Sequence, residues 1–257
     1  MEKPLILITN DDGLTAKGLK TLVDVSCKLG DVCVMAPSGN ASGFSHSITT
    51  SRPLRAAEHT KDKGLAVFSC DGTPVDCVKL ALEFFCPRPP ALVLSGINHG
   101  SNSSINVLYS GTLGAVREGS VCGFDAIGFS LLNHSAKAEF DFAVPYVENI
   151  IRSVLDSGLP RGVALNVNIP YLPDSGLNGI KVCRQSKAVW RDSYERRVDP
   201  VGRPYYWLTG TFECTDCEPD TDQWALENGY ISVVPTTVDN TAYAFIPSLK
   251  EQMNGLK

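Results

Sequence analysis

The sequence predicts an α/β protein, a doubly wound and mostly parallel sheet with a C-terminal antiparallel β-hairpin extension. Three observations carry this. Short apolar segments alternate with helix-period segments from the N-terminus to about residue 170, the pattern of successive βαβ units. The strand segments are apolar throughout rather than alternating, as helices on both faces of a parallel sheet require. After residue 170 the segments are punctuated by Pro, Gly and Asp, which is hairpin chemistry. The chain therefore reads as one unit over 1–257, with a core over 1–170 and a hairpin extension and tail over 171–257.

Residues 4–9 form the first strand, residues 16–29 a helix, and "DVCVMAP" a second strand stopped by Pro37. A strand, helix and strand in this order open a parallel sheet. "GLAVFSC", "ALVLSG", "DAIGFSL" and "GVALNVNIP" supply further strands, with helices over residues 75–85, 110–118 and 139–155. Residues 181–192, 203–211 and 230–234 read as hairpin strands, and a helix near 248–254 closes the chain.

The chain has 257 residues, 43% of them hydrophobic and 20% charged, enough for a sizeable core. A net charge of -5 argues against a stable nucleic-acid complex held by a basic surface. No run is long and apolar enough for a membrane helix, and residues 2–9 lack the pattern of a secretory leader. Nine cysteines, most in apolar patterns, read as thiols of a reducing compartment, so the expected location is the cytoplasm. The pair Cys214 and Cys217 has no second CxxC or His pair nearby and reads as two loop cysteines rather than a zinc site.

Ligands of open α/β sheets collect outside the carboxyl ends of the strands. Three polar loops fall there: Asn10, Asp11 and Asp12 after the first strand, "SGNAS" from Ser38 after the second, and "SGINHGSNSS" from Ser95. Adjacent carboxylates repel, and a divalent cation would compensate them; carboxylate, amide and hydroxyl oxygens suit Mg²⁺ or Mn²⁺. Asp before Gly13 is also ordinary turn chemistry, and on these residues alone the two readings stand level. Ser110, Gly111 and Thr112 open a helix whose free amides make an anion pocket; on these residues alone an ordinary Ser N-cap is the preferred reading, and the position directly after the loop of Asn98 and Asn102 shifts the balance. Spacing excludes three competitors. "GLTAKGLKT" places Leu19 between the second glycine and Lys20 of a P-loop, the first strand is not followed by Asp-x-Asp, and neither "GFSHS" nor "GFSLL" completes GxSxG.

"ILITNDDG", "APSGNASG", "DGTPVDCV", "SGINHGSN", "YSGTLGA" and "GYISVVPTTVDNT", in this order, resemble the SurE family of metal-dependent nucleotidases and acid phosphatases. The blocks extend from residue 5 to about 241. The resemblance implies a Rossmann-like core with a hairpin extension and one divalent cation per subunit, Mg²⁺ or Mn²⁺, held by Asp11, Asp12, Ser42 and Asn98. It places phosphate at Asn102, Ser110, Gly111 and Thr112, and it implies a homodimer or homotetramer. The chain departs from the pattern at Ser104 and Asn106, where relatives often carry glycine and an acid.

The reaction expected is hydrolysis of phosphate monoesters, foremost nucleoside monophosphates, as a 5'/3'-nucleotidase or acid phosphatase, with Asp11 and Asp12 as the catalytic residues and one of them taking a proton from the attacking water. A non-catalytic, metal-dependent nucleotide-binding regulator is the alternative, separated by phosphate release. A glycosyltransferase-like reading needs a second nucleotide-binding region that the sequence does not offer. His99, in the site loop, is either a donor to the leaving oxygen or a loop histidine bonded to a neighbour. Trp190, Tyr194, Tyr205, Tyr206 and Trp207 give the extension an aromatic face, which points to self-association or hairpin packing ahead of base stacking.

Overall fold

The computed structural model describes residues 3–255 except 136, 173 and 175. Eleven strands run in chain order: β1 (Leu5–Thr9), β2 (Asp31–Pro37), β3 (Ala56–Asp62), β4 (Leu65–Cys70), β5 (Leu92–His99), β6 (Ala126–Leu131), β7 (Val163–Ile169), β8 (Ile180–Val182), β9 (Ala188–Val198), β10 (Pro204–Cys214) and β11 (Ile231–Thr237). The helices are α1 (Lys17–Ser26), α2 (Pro74–Leu80), α3 (Gly111–Val121), α4 (Val144–Ser157), α5 (Asp222–Glu227) and α6 (Ile246–Met253).

Nine strands form one sheet in the order β3-β4-β2-β1-β5-β6-β7-β11-β8, and β9 pairs with β10 in a separate two-stranded sheet. From β4 to β7 every pairing is parallel; β3 and β11 run antiparallel to their neighbours β4 and β7. Strand β1 is buried along its whole length, and its alternation splits the core. Ile6 and Ile8 pack with Leu19, Leu22 and Val25 of α1 and with Val147 and Ile151 of α4. Leu5 and Leu7 pack on the other face with Cys77 and Val78 of α2 and Leu113 and Val116 of α3. Helices on both faces explain why the strand sequences are continuously apolar. Truncating Ile8 to Ala would cost roughly 2–5 kcal/mol at such a site.

The differences from the sequence expectation have physical reasons. The segment at residues 230–234 is no hairpin strand: β11 pairs with both β7 and β8 inside the main sheet, so the hairpin that stands apart is β9 with β10 alone. Strand β3 was not expected, because its sequence AAEHTKD is mostly exposed and lacks an apolar face. Strand β5 runs on to His99, and the pairing with β6 slips by one residue between Ser95 and Asn98. The helix expected over 75–85 is α2 followed by a π-helical stretch, Ala81–Phe85.

Candidate active site

The carboxyl ends of β1, β2 and β5 and the N-terminus of α3 meet at one edge of the sheet. Asn10 closes the first turn on itself: its amide nitrogen donates to Gly13 O at 2.9 Å and its Oδ1 accepts from Gly13 N at 3.3 Å. Gly13 has φ +98°, and a Cβ there would meet the Gly39 carbonyl at 3.3 Å, so the turn needs glycine. Two backbone bonds lash this turn to the loop after β2, Leu14 N to Pro37 O at 3.1 Å and Ala41 N to Asp11 O at 2.7 Å. Ser42 follows, exposed, its amide donating to Asn40 Oδ1 at 2.7 Å.

Asp11 is buried, 3% exposed, and is gripped by the start of α3. The Thr112 hydroxyl donates to its Oδ1 at 2.6 Å and the Thr112 amide to its Oδ2 at 3.1 Å. Gly111 permits this approach: a Cβ at that position would lie 2.8 Å from the Asp11 Cβ and 3.0 Å from its Oδ2. Burial pushes the Asp11 carboxyl up to about 6; the hydrogen bonds from Thr112 work against that rise, and the neighbouring charge of Asp12 adds to it. Asp12 is half-buried and its Oδ2 accepts the His99 amide at 3.2 Å. Among the described residues no Lys, Arg or His forms an ion pair with either carboxylate.

A cavity of about 570 Å³ opens here, lined by Asp11, Ser42, Asn98, Asn102 and Ser110 among others. Asn98 donates its amide nitrogen to Gly100 O at 2.9 Å, and its Oδ1 accepts no hydrogen bond from another described residue. Ser110 is buried and caps α3, its Oγ accepting from Leu113 N at 3.0 Å. Gly111 and Thr112 are buried, and both Thr112 donors are spent on Asp11. His99 lines the cavity, meets Phe140 edge to face at 5.1 Å, and keeps a buried Nδ1 with no partner among the described residues. Another cavity of about 580 Å³ lies at the amino ends of β1, β2 and β4, away from these loops.

The oxygen donors around Asp11 fit a hard divalent cation. Two adjacent carboxylates without a basic partner, an unused amide oxygen and an exposed hydroxyl supply no soft ligand and leave negative charge to be offset.

Sequence reasoning missed the residues that hold the loop after β5. Asn166 and Asn168 alternate along β7 to one face: Asn168 Oδ1 accepts the Asn102 amide at 2.8 Å, Asn166 Nδ2 donates to Asn102 O at 2.9 Å, and Asn102 Nδ2 donates to Ser130 Oγ at 2.8 Å. Asp222, fully buried, accepts the Ser104 amide at 2.8 Å and the Ser186 amide at 2.9 Å, joining this loop to the foot of the hairpin. Two asparagines inside an otherwise apolar strand were a readable signal, since Asn is depleted there. Asp222 gave none. On the far side, Glu118 near the end of α3 meets Lys79 at 2.6 Å and His46 at 2.9 Å, pinning the loop that carries Ser42. Burial works to raise the Glu118 carboxyl, but the donors and charges of Lys79 and His46 outweigh it and hold the group below its ordinary value.

A doubly wound sheet with an acidic pair and oxygen donors outside its carboxyl ends defines an α/β protein with a polar site at the edge where such folds hold ligands. A family model, Survival protein SurE, matches residues 6–192. The chain is 52% identical over 250 residues to a protein of Christiangramia forsetii named 5'-nucleotidase SurE, covering 96% of both chains. A Flavobacterium johnsoniae protein of the same name is 50% identical over 256 residues, with 99% of both chains covered. The crystal structure of the SurE protein from Aquifex aeolicus superimposes with a TM-score of 0.83 at 37% identity, over 97% of this chain and 99% of that one. This chain belongs to the SurE family.

Proposed function

We propose that this chain is a divalent-metal-dependent 5'-nucleotidase that releases phosphate from nucleoside monophosphates. The observation that carries the reading is the buried Asp11 carboxylate beside Asp12, at a cavity of oxygen donors, in a chain whose relatives are named 5'-nucleotidase SurE. Asp11, Asp12, Ser42 and Asn98 would hold one Mg²⁺ or Mn²⁺ per chain. Such a cation, when bound, supplies Lewis acidity toward a phosphoryl oxygen and makes water a better nucleophile.

The chain's own groups do the rest. Asp11 or Asp12 takes the proton of the attacking water. The amides of Ser110 and Gly111, at the N-terminus of α3, together with Asn102, receive the phosphate and the charge that grows on it. Thr112 acts as a positioning residue, because its hydroxyl and amide hold the Asp11 carboxylate.

The exposed aromatic side chains of Tyr205, Tyr206 and Trp207 support a homodimer or homotetramer built through the hairpin. The free thiols suit the cytoplasm. No helix among the described residues is long and apolar enough to cross a membrane. The test is phosphate release from nucleoside monophosphates with added Mg²⁺ or Mn²⁺. Turnover is expected to stop on chelation and return with metal; full turnover by metal-stripped protein in excess EDTA would overturn the reading.

A further inference from the structure

The cavity that Asp11, Ser42 and Asn98 line is walled on another side by aromatic rings. Trp190 of β9 and Phe212 of β10 stand edge to face at 5.4 Å, and Tyr109 lies beside them just before α3. Tyr109 and Trp190 also line a second cavity, of about 500 Å³, which continues along the hairpin past Asp192, Leu208 and Gly210. Two shared walls make the two spaces neighbours.

The ladder of the hairpin explains the second space. Trp190 pairs with Phe212, Asp192 with Gly210 and Tyr194 with Leu208, so these six residues share one face of the ribbon. Gly210 alone carries no side chain. It leaves a slot between the Trp190–Phe212 pair and the Tyr194–Leu208 pair, floored by backbone. Trp190 Nε1 donates to Asn106 Oδ1 at 2.8 Å, which fixes the indole and spends its polar atom. The ring nevertheless remains 42% exposed and Tyr109 58% exposed, a large aromatic surface that the fold itself does not cover. The Asp192 carboxylate, exposed at the slot, makes no hydrogen bond or ion pair with another described residue.

We propose that this slot is the nucleobase subsite: the base stacks on Trp190 and Tyr109 and offers its amino or ring N–H groups to Asp192, while the phosphate lies at the Ser110 end. The inference rests on the nucleotidase reading and adds the residues that make a nucleoside monophosphate a better substrate than a bare sugar phosphate. Stacking a base on an aromatic side chain is worth roughly ten- to hundredfold in affinity.

The experiment compares adenosine 5'-monophosphate with ribose 5-phosphate, which lacks the base, in the metal-loaded full chain. The wild type should favour the nucleotide in kcat/KM. Trp190→Ala should lower the nucleotide-to-sugar-phosphate ratio about tenfold or more, through KM rather than kcat, and Trp190→Phe should restore most of it. A wild type without nucleotide preference, or a Trp190→Ala variant that loses both substrates equally and keeps the ratio, would overturn the proposal. If the wild type releases phosphate from neither substrate, it is the nucleotidase reading that fails. Calorimetric titration with adenosine then decides the slot: binding weakened by Trp190→Ala supports it, and equal binding refutes it.

Discussion

The carboxyl edge of the sheet and the hairpin β9–β10 are built on opposite plans. At the sheet edge polar groups are bonded across loops from distant parts of the chain: Asp11 to Thr112, Asp12 to His99, Asn102 to Asn168, Ser104 to Asp222. Along the hairpin almost every residue is exposed, and outside its foot the two strands have only each other. An isolated two-stranded ribbon is marginal in water, so its foot must be held, and Trp190 to Asn106 and Ser186 to Asp222 do this. The contrast separates fixed geometry, which chemistry needs to within a fraction of an ångström, from adaptable surface, which recognition tolerates.

Substitutions should follow this division, and the largest effects belong to the acidic pair. Asp11→Asn and Asp12→Asn should each lower kcat on the order of 10²–10³-fold or more while the circular-dichroism spectrum persists. Asp11 also carries a stability signature in metal-free protein. Its folded pKa, about 6, stands above the ordinary 3.8, so between these values the folded state holds more protons than the unfolded one. Stability therefore falls as pH rises through this window, by roughly 2–3 kcal/mol. In EDTA, Asp11→Asn should melt higher than the wild type above pH 6 and lose that advantage below pH 4, as thermal melts against pH would read. A constant difference across pH would break the assignment of the rise to Asp11.

Next in size is Gly111→Val. A side chain there strikes Asp11 itself, so the variant should lose about 10²-fold in activity together with metal affinity, measured by metal titration. Ser110→Ala keeps every backbone amide and should cost less, about 10- to 100-fold, with inorganic phosphate still competing with substrate. Glu118→Gln loosens the loop of Ser42 from α3 and should reduce activity only a few-fold. The depressed Glu118 carboxyl stabilises the fold above its unfolded pKa and loses that contribution as pH falls through its folded one, so the variant should narrow its gap to the wild type in acid. At the small end, Trp207→Ser on the hairpin should leave turnover unchanged and shift the species seen by light scattering to smaller mass. A wild-type monomer at micromolar concentration would break the self-association reading.

Much of the sheet edge was legible because its residues are local. Asp11 and Asp12 follow a strand and precede a glycine turn, and Ser110 opens a helix, so short patterns reveal them. What was not legible came from pairs remote in sequence. Nothing near Thr112 says that its hydroxyl is committed to Asp11, 101 residues away, or that Asp222 braces a loop 118 residues before it. The hairpin failed in another way. Pro, Gly and Asp punctuation marked strands over 181–192, 203–211 and 230–234 but not which strands they pair with, and β11 joined the main sheet because Ile231, Val233 and Val234 bury there.

The one-residue slip in β5 has a consequence for how this site can change. Leu92 and Leu94 face one half of the core and Val93 the other, so strict alternation would send Ile97 to the side of Val93; it packs instead with Leu92 and Leu94. The extra residue inverts the strand's parity from Ile97 onward, and Asn98 inherits its place from that inversion. Substitutions cannot undo a parity, whereas a single deletion can. Losing Gly96 would straighten the ladder with Asn98 still opposite Ser130 and Ile97 still on the face of Leu92 and Leu94, whereas losing a residue from the regular part of the strand would turn both to the opposite faces. At this point of the chain, residue count constrains the site as firmly as residue identity does.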